Sequence, residues 1–259
     1  MNTPTDLAER VAIVTGAGRG LGRAMAEGLA AAGCRVIATA ARTPDELAPL
    51  AAAFPDRMIA LRADVTDAAD CARCVETALS RFGRLDVLVN NAGRGMRSIS
   101  PHFMTEPTKF WQAEIDAWRT LIDTNVNGPF LMARAAVPVM LRAGWGRIVN
   151  ISMNYDTMRR AGFSPYGPSK AALESATVIW AQDLAGTGVT ANALLPGGAT
   201  RTGMIPPGLP EALSAKLRDP RIIVPPLLYL ASSRSDGVSG QRFIATLWPA
   251  AELAGWPAP

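Results

Sequence analysis

Cysteine, histidine and lysine are all scarce in this chain. Three Cys, one His and three Lys (Lys109, Lys170, Lys216) stand among 259 residues. So few thiols exclude a disulfide-stapled scaffold and suit a reducing compartment. Cys71 and Cys74 form a C-x-x-C, but within DAADCARCVETALSRF, a run that reads as a helix. A zinc site needs more ligands than these two and the lone His102 supply. No stretch approaches 18 uninterrupted apolar residues, which excludes a membrane-spanning helix. The first ten residues carry no apolar core of a secretion signal. With 49% hydrophobic and 19% charged residues, a disordered polymer is excluded as well. The formal charge of +4 comes from Arg. These Arg are scattered rather than gathered into a stripe, so a nucleic-acid partner is not expected. The expectation is one soluble, cytoplasmic domain over residues 1–259, with no membrane contact.

What the chain does have is an alternation of strand and helix. RVAIVTG, CRVIATA, MIALRAD, RLDVLVNNAG, GRIVNIS, VTANALLPG and SGQRFIATLW read as strands. Between them lie helical runs, among them LGRAMAEGLAAAG, TPDELAPLAAAF and PSKAALESATVIWAQDLAGTG. The second of these has Thr43 as its N-cap and Pro44 at the first helical position. Residues 94–112 read as irregular, and a long helical segment follows over 116–144. Strands rich in Val, Ile and Leu, separated by helices, predict an α/β fold: a single-domain, doubly wound parallel sheet of about seven strands with helices on both faces.

Thr15-Gly16-Ala17-Gly18-Arg19-Gly20-Leu21-Gly22 links the first strand to the first helix. Glycine lets backbone turn sharply and approach a ligand closely. The helix start that follows offers free N–H groups and partial positive charge to a pyrophosphate. This strand–turn–helix context is the one a dinucleotide fingerprint requires. There is no G-x-x-x-x-G-K-[ST], so phosphoryl transfer of that kind is not expected. Ligands of such Rossmann-like sheets bind beyond the carboxyl ends of the strands. Asp64, Asn90-Asn91-Ala92-Gly93, Ser152 and Pro196-Gly197 all fall at strand ends.

Together these residues resemble the short-chain dehydrogenase/reductase family, over Val11 to about Gly240. The loop Gly16, Gly18, Arg19, Gly20, Leu21 and Gly22 looks like the family's cofactor loop. Asp64-Val65 resembles its adenine contact, and Asn91-Ala92-Gly93 its central-strand motif. Asn125 in TNVNGPF resembles the helix Asn of a catalytic relay, where it would position a water leading from Lys170 to solvent. Tyr166-x-x-x-Lys170 resembles the catalytic pair, and Pro196-Gly197 the nicotinamide-side turn. By the same resemblance Thr200 or Thr202 contacts the nicotinamide, and residues 198–218 form a substrate lid with Met204, Ile205 and Leu209 as its shield. The resemblance implies hydride transfer between a nicotinamide cofactor and a carbonyl or secondary alcohol of a small to medium polar substrate. It also implies a dimer or tetramer.

The chemistry suits the spacing. Tyr166 and Lys170 are one helical turn apart. A nearby ammonium favours the phenolate and lowers a Tyr pKa from ~10. Tyr166 is therefore the expected general acid/base.

Two departures matter. The family's usual Ser, thirteen residues before the Tyr, is Met153 here. Ser152, Asn154, Tyr155 and Ser164 are the candidate replacements, with Ser152 placed among the catalytic residues. Alternatively the substrate supplies its own polarity, or activity is low. A weakly active or non-catalytic NADP(H) sensor, and a dehydratase or epimerase, therefore stay open as rival readings. At the end of the second strand, where NAD users carry an acid, stands Ala40; Arg42 and Arg19 suit a 2′-phosphate. NADP is expected, with NAD as the alternative. Arg94, Arg97, His102, Lys109 and Trp111 lie in a long segment after Gly93 that is a candidate wall of the substrate pocket. The tail 248–259, with Trp248 and Trp256, replaces a Gly-rich ending and is a candidate cover for a site.

Overall fold

Val11–Val14 are all buried and form β1, the centre of the molecule. The structure is a computed structural model that describes residues 6–41, 44–206, 208 and 211–249. Six further strands join β1 in one sheet: β2 (Arg35–Ala40), β3 (Met58–Arg62), β4 (Val87–Asn90), β5 (Gly146–Ile151), β6 (Val189–Leu195) and β7 (Arg242–Ile244). Their order is β3-β2-β1-β4-β5-β6-β7, and every pairing is parallel. The doubly wound α/β fold read from the sequence is present.

Helices α1 (Gly20–Ala31) and α2 (Ala48–Ala53) pack on one face of the sheet with α9 (Val224–Ala231). On the other lie α3 (Ala68–Phe82), α5 (Gly128–Ala143) and α7 (Tyr166–Asp183). The shorter α4 (Ile115–Ile122), α6 (Tyr155–Met158) and α8 (Glu211–Ser214) lie between them in the chain. Two cores result, one on each face, which is why the central strands are apolar on both sides.

Local chemistry sets several boundaries. Asp67 caps α3 by accepting from the backbone N–H groups of Ala69 and Asp70, and Gly83 ends that helix in the left-handed region. The helix expected over TPDELAPLAAAF is split. Pro44–Glu46 make a 3₁₀ turn before α2 starts, and Thr43 lies outside the described residues. The segment expected as one helix over 116–144 is interrupted by a π turn at Asp123–Asn127. Such turns shift helical register and concentrate at functional sites. At its centre sits Asn125, fully buried.

Candidate active site

The strand order reverses at β1, whose neighbours are β2 and β4. A crevice opens there beyond the carboxyl ends. It forms a cleft of about 570 Å³, within the range of small-molecule sites. Of the residues expected to bind cofactor, Gly16, Gly18, Arg19, Gly20, Leu21, Gly22, Asp64, Val65, Asn91, Ala92, Gly93 and Thr202 line it. Arg42 lies outside the described residues.

The glycine loop is braced from β4. Asn91 donates its side-chain amide to the carbonyls of Thr15 at 2.8 Å and Gly16 at 3.1 Å. Thr15 Oγ1 accepts from the backbone N–H of Asn91 and of Ala92, both at 3.0 Å. Gly16 has φ +65°, and a Cβ at Gly22 would stand 2.1 Å from the Gly16 carbonyl oxygen. Only glycine fits there. The first turn of α1 holds no acid, and Arg19 gives it no side-chain cap. Its N–H groups and positive end therefore remain available to an anion. Asp64 turns partly inward on its own loop, accepting from Thr66 N at 3.0 Å and Thr66 Oγ1 at 2.8 Å.

The chain order hid one cleft residue. Glu46, on the 3₁₀ turn after β2, lines the cleft and lies 3.8 Å from the Arg19 guanidinium. Its carboxylate presses on the loop, 2.7 Å from where a Cβ on Gly18 would stand. An acid shortly after the second strand was the available signal, but the run reads as a helix first turn.

Residues 202–204 lie across the loop. Thr202 sits against Gly20, Gly203 against the Arg19 guanidinium, and Met204 against Gly95. Arg97 donates to the Gly203 carbonyl at 2.8 Å and so ties the segment after β4 to this stretch. Leu209 lies outside the described residues. Pro196, Gly197 and Thr200, expected at the nicotinamide, lie outside the residues around this part of the crevice, as do Tyr166 and Lys170. Gly197 packs against Ile244 and Thr246, while Thr200 is buried and bridges to Arg218.

Tyr166 and Lys170 open α7. Lys170 is buried and donates to the Ile151 carbonyl at 2.8 Å. Its Nζ lies 3.8 Å from where a Cβ on Gly93 would stand. Asn125, Gly93 and Lys170 thus meet where the motifs of β4, the π turn and α7 converge. Among the described residues the Tyr166 hydroxyl has no protein hydrogen-bond partner.

Two expectations are corrected. Burial pushes the Tyr166 phenol up to about 12 rather than letting Lys170 pull it down. Burial also pulls the Lys170 ammonium down to about 8, against a smaller upward effect of Glu174. Asn125 ties the loop after β4 to α7: its side chain accepts from Arg94 N at 2.8 Å and donates to Arg94 O at 2.9 Å and to Ser169 Oγ at 3.0 Å. Ser152 donates its hydroxyl to Glu174 and is not left open to a substrate. Met153 is buried at 8% exposure.

His102 is exposed. Trp248 packs beside Tyr229 and Phe243 within the molecule, and residues 250–259, including Trp256, lie outside the described residues.

Fold and cleft together define an α/β protein built around a dinucleotide-type crevice with a Tyr–Lys pair beside it. Residues 10–208 match the family model for short chain dehydrogenases. The chain is 34% identical to a 3-oxoacyl-(acyl-carrier-protein) reductase of Synechocystis over 258 residues, covering 97% of this chain and 95% of that one. It is 30% identical over 243 residues to an enzyme of that name from Vibrio harveyi, covering 91% of this chain and 95% of that one. A dehydrogenase/reductase structure from Sinorhizobium meliloti superposes with a TM-score of 0.81 at 28% identity, over 93% of this chain and 96% of the other. The chain belongs to the short chain dehydrogenase family. It is an oxidoreductase by that membership, and a nicotinamide cofactor is implied. The residues present fit such a group. Glycine stands where a Cβ could not, and an uncapped helix start faces the cleft. None of the helices of the described residues is long and apolar enough to cross a membrane.

Proposed function

We propose that the protein is an NADP(H)-dependent reductase that converts a carbonyl to a secondary alcohol, with Tyr166 as the proton donor. The observation that carries this reading is the Tyr166 hydroxyl, without a hydrogen-bond partner among the described residues and one helical turn from a buried ammonium. A nicotinamide held in this cleft would supply the hydride to the carbonyl carbon. Tyr166 is protonated at neutral pH and offers its proton to the carbonyl oxygen. Lys170, steered by the Ile151 carbonyl, stabilises the phenolate left behind. Met153, buried, stands at the position where the family has a polar donor. A 3-oxoacyl thioester is the first substrate to try, because two relatives are named for that reaction. Arg19 at the cleft supports NADP(H), and the lack of an acid at Ala40 supports it too. Glu46, paired with Arg19, weakens the preference, so NAD(H) remains a usable second cofactor.

The test is consumption of NADPH against a panel of 3-oxoacyl thioesters and simple ketones. Tyr166→Phe is expected to lower kcat by at least ~10²-fold while nucleotide binding stays near wild type, as for loss of a general acid. A second reading, a nucleotide sensor without turnover, is favoured by Met153 alone. Nucleotide binding with no oxidation across the panel would establish it instead.

A further inference from the structure

A polar network on α7 is not used by the chemistry proposed above. One turn beyond Lys170, Glu174 accepts from the Ser152 hydroxyl. Arg242 of β7 donates its Nε to the same carboxylate at 3.0 and 3.2 Å. The Arg242 guanidinium then reaches the Met153 carbonyl at 2.8 Å and lies 3.8 Å from the centroid of the Tyr155 ring. The two charged side chains are only 12% and 19% exposed. Three successive residues at the exit of β5 are therefore each held by a charged group: Ile151 by Lys170, Ser152 by Glu174 and Met153 by Arg242.

This arrangement is more than packing. The exit of β5 carries Met153, which stands where the family pattern has its polar donor. Its backbone cannot shift without breaking a charge-assisted hydrogen bond, the stronger kind. Glu174 stands four residues after Lys170 on α7, so the two side chains share a helix face, and its negative charge favours the ammonium. The other groups packed around that ammonium are neutral: Gly93 from the loop after β4, Asn125 from the π turn and the Ile151 carbonyl from β5. Tyr166 is the titratable neighbour on its own helix, and Arg242 lies beyond Glu174.

We propose that Glu174 and Arg242 are positioning residues for the reacting groups: together they clamp the exit of β5, and the Glu174 carboxylate holds the charge on Lys170. Ser152 belongs to this clamp and does not touch the substrate. The proposal rests on the functional reading for the roles of Tyr166 and Lys170, but its test has a readout independent of turnover.

The chain has only three lysines, so ¹³Cε-lysine labelling gives few enough signals to follow Lys170 directly through a pH titration. The probe is the protein without nucleotide. Wild type is expected to titrate near the value of about 8 that burial imposes. In Glu174→Gln the midpoint moves to lower pH, because the carboxylate that favoured the ammonium is gone. In Glu174→Asp the charge is kept and the midpoint stays close to wild type, while the shortened clamp still lowers turnover. The pair borders a cavity of about 560 Å³, which leaves room for these replacements. If Glu174→Gln does not fold, the Asp variant and Arg242→Lys against Arg242→Met carry the test. In turnover, Glu174→Gln and Arg242→Met are expected to lower kcat about 10- to 100-fold, the loss of one charged hydrogen bond. Arg242→Lys recovers part of this, and nucleotide affinity changes less than about twofold. An unmoved Lys170 midpoint in Glu174→Gln overturns the counter-charge role. Equal losses in Arg242→Lys and Arg242→Met, or unchanged kcat in both, overturn the clamp. A protein with no turnover at all but the expected lysine shift would refute the functional reading and leave the counter-charge standing.

Discussion

Two substitutions at the site probe single side chains. Met153 fills the position where a hydroxyl would polarise the carbonyl, and a missing donor of that type costs about 10²–10³ in rate. If no native group takes over, Met153→Ser raises kcat by an order of magnitude or more. Steady-state turnover checks this, and an unchanged or lower kcat means that the buried Met is the better partner for this substrate. Glu46 bears on the cofactor. Its carboxylate sits against Gly18 and beside Arg19, where a 2′-phosphate would meet like charge. Glu46→Gln is therefore expected to raise kcat/KM for NADPH relative to NADH by about 3- to 30-fold, the scale of one partly exposed charge contact. Parallel binding of 2′,5′-ADP and 5′-AMP would register the same shift without turnover. A constant ratio would remove Glu46 from cofactor choice. The residue scale also shows where sequence reading stops. Tyr166 and Lys170 were legible from spacing, but their acidities were not, because burial outweighs the pair's mutual attraction and burial belongs to the fold.

Elements explain why some motifs were read correctly and others missed. The strand–helix alternation was legible because buried parallel strands must be apolar on both faces. The glycine loop was legible because its steric demand is local: one Cβ at Gly22 collides with a carbonyl six residues earlier. The Glu174–Arg242 clamp joins residues 68 apart, and it comes together because α7 packs on β6 and β6 pairs with β7. No periodicity reveals such a contact. The Ser152 contact was hidden for the same reason, since its partner Glu174 comes from a different element. The stretch 198–218, expected from the sequence as a substrate lid, offers a prediction at this scale. Arg97 is the hydrogen bond that joins the segment after β4 to residues 202–204 over the nucleotide loop. Arg97→Ala should loosen that closure and raise KM for nucleotide about fivefold, the worth of one such bond at the surface, with little change in kcat. Limited proteolysis within 198–218 should accelerate in parallel. If neither changes, the contact is incidental to closure.

At the scale of the whole molecule, α7, which carries Tyr166 and Lys170, and α5, on the same face of the sheet, also present apolar side chains to solvent. Phe130 and Leu141 on α5, with Val178 and Ile179 on α7, are each about half exposed. Where such side chains form one contiguous patch, they mark an interaction site. Isologous contact with a second copy is the commonest way such a surface is covered. The sequence led to the same expectation of a dimer or tetramer, since PSKAALESATVIWAQDLAG is apolar around more than one face. The protein is therefore expected to run well above its 27.3 kDa protomer mass in light scattering. The pair Phe130→Glu and Ile179→Glu should return it towards that mass. Tyr166 and Lys170 begin the same α7 whose outer face would be covered. Dissociation should then lower kcat and broaden the Lys170 titration, as the helix loses its external support. A wild type that is monomeric at micromolar concentration, with full turnover, would show instead that the sheet and the Glu174–Arg242 clamp suffice to hold α7 in place.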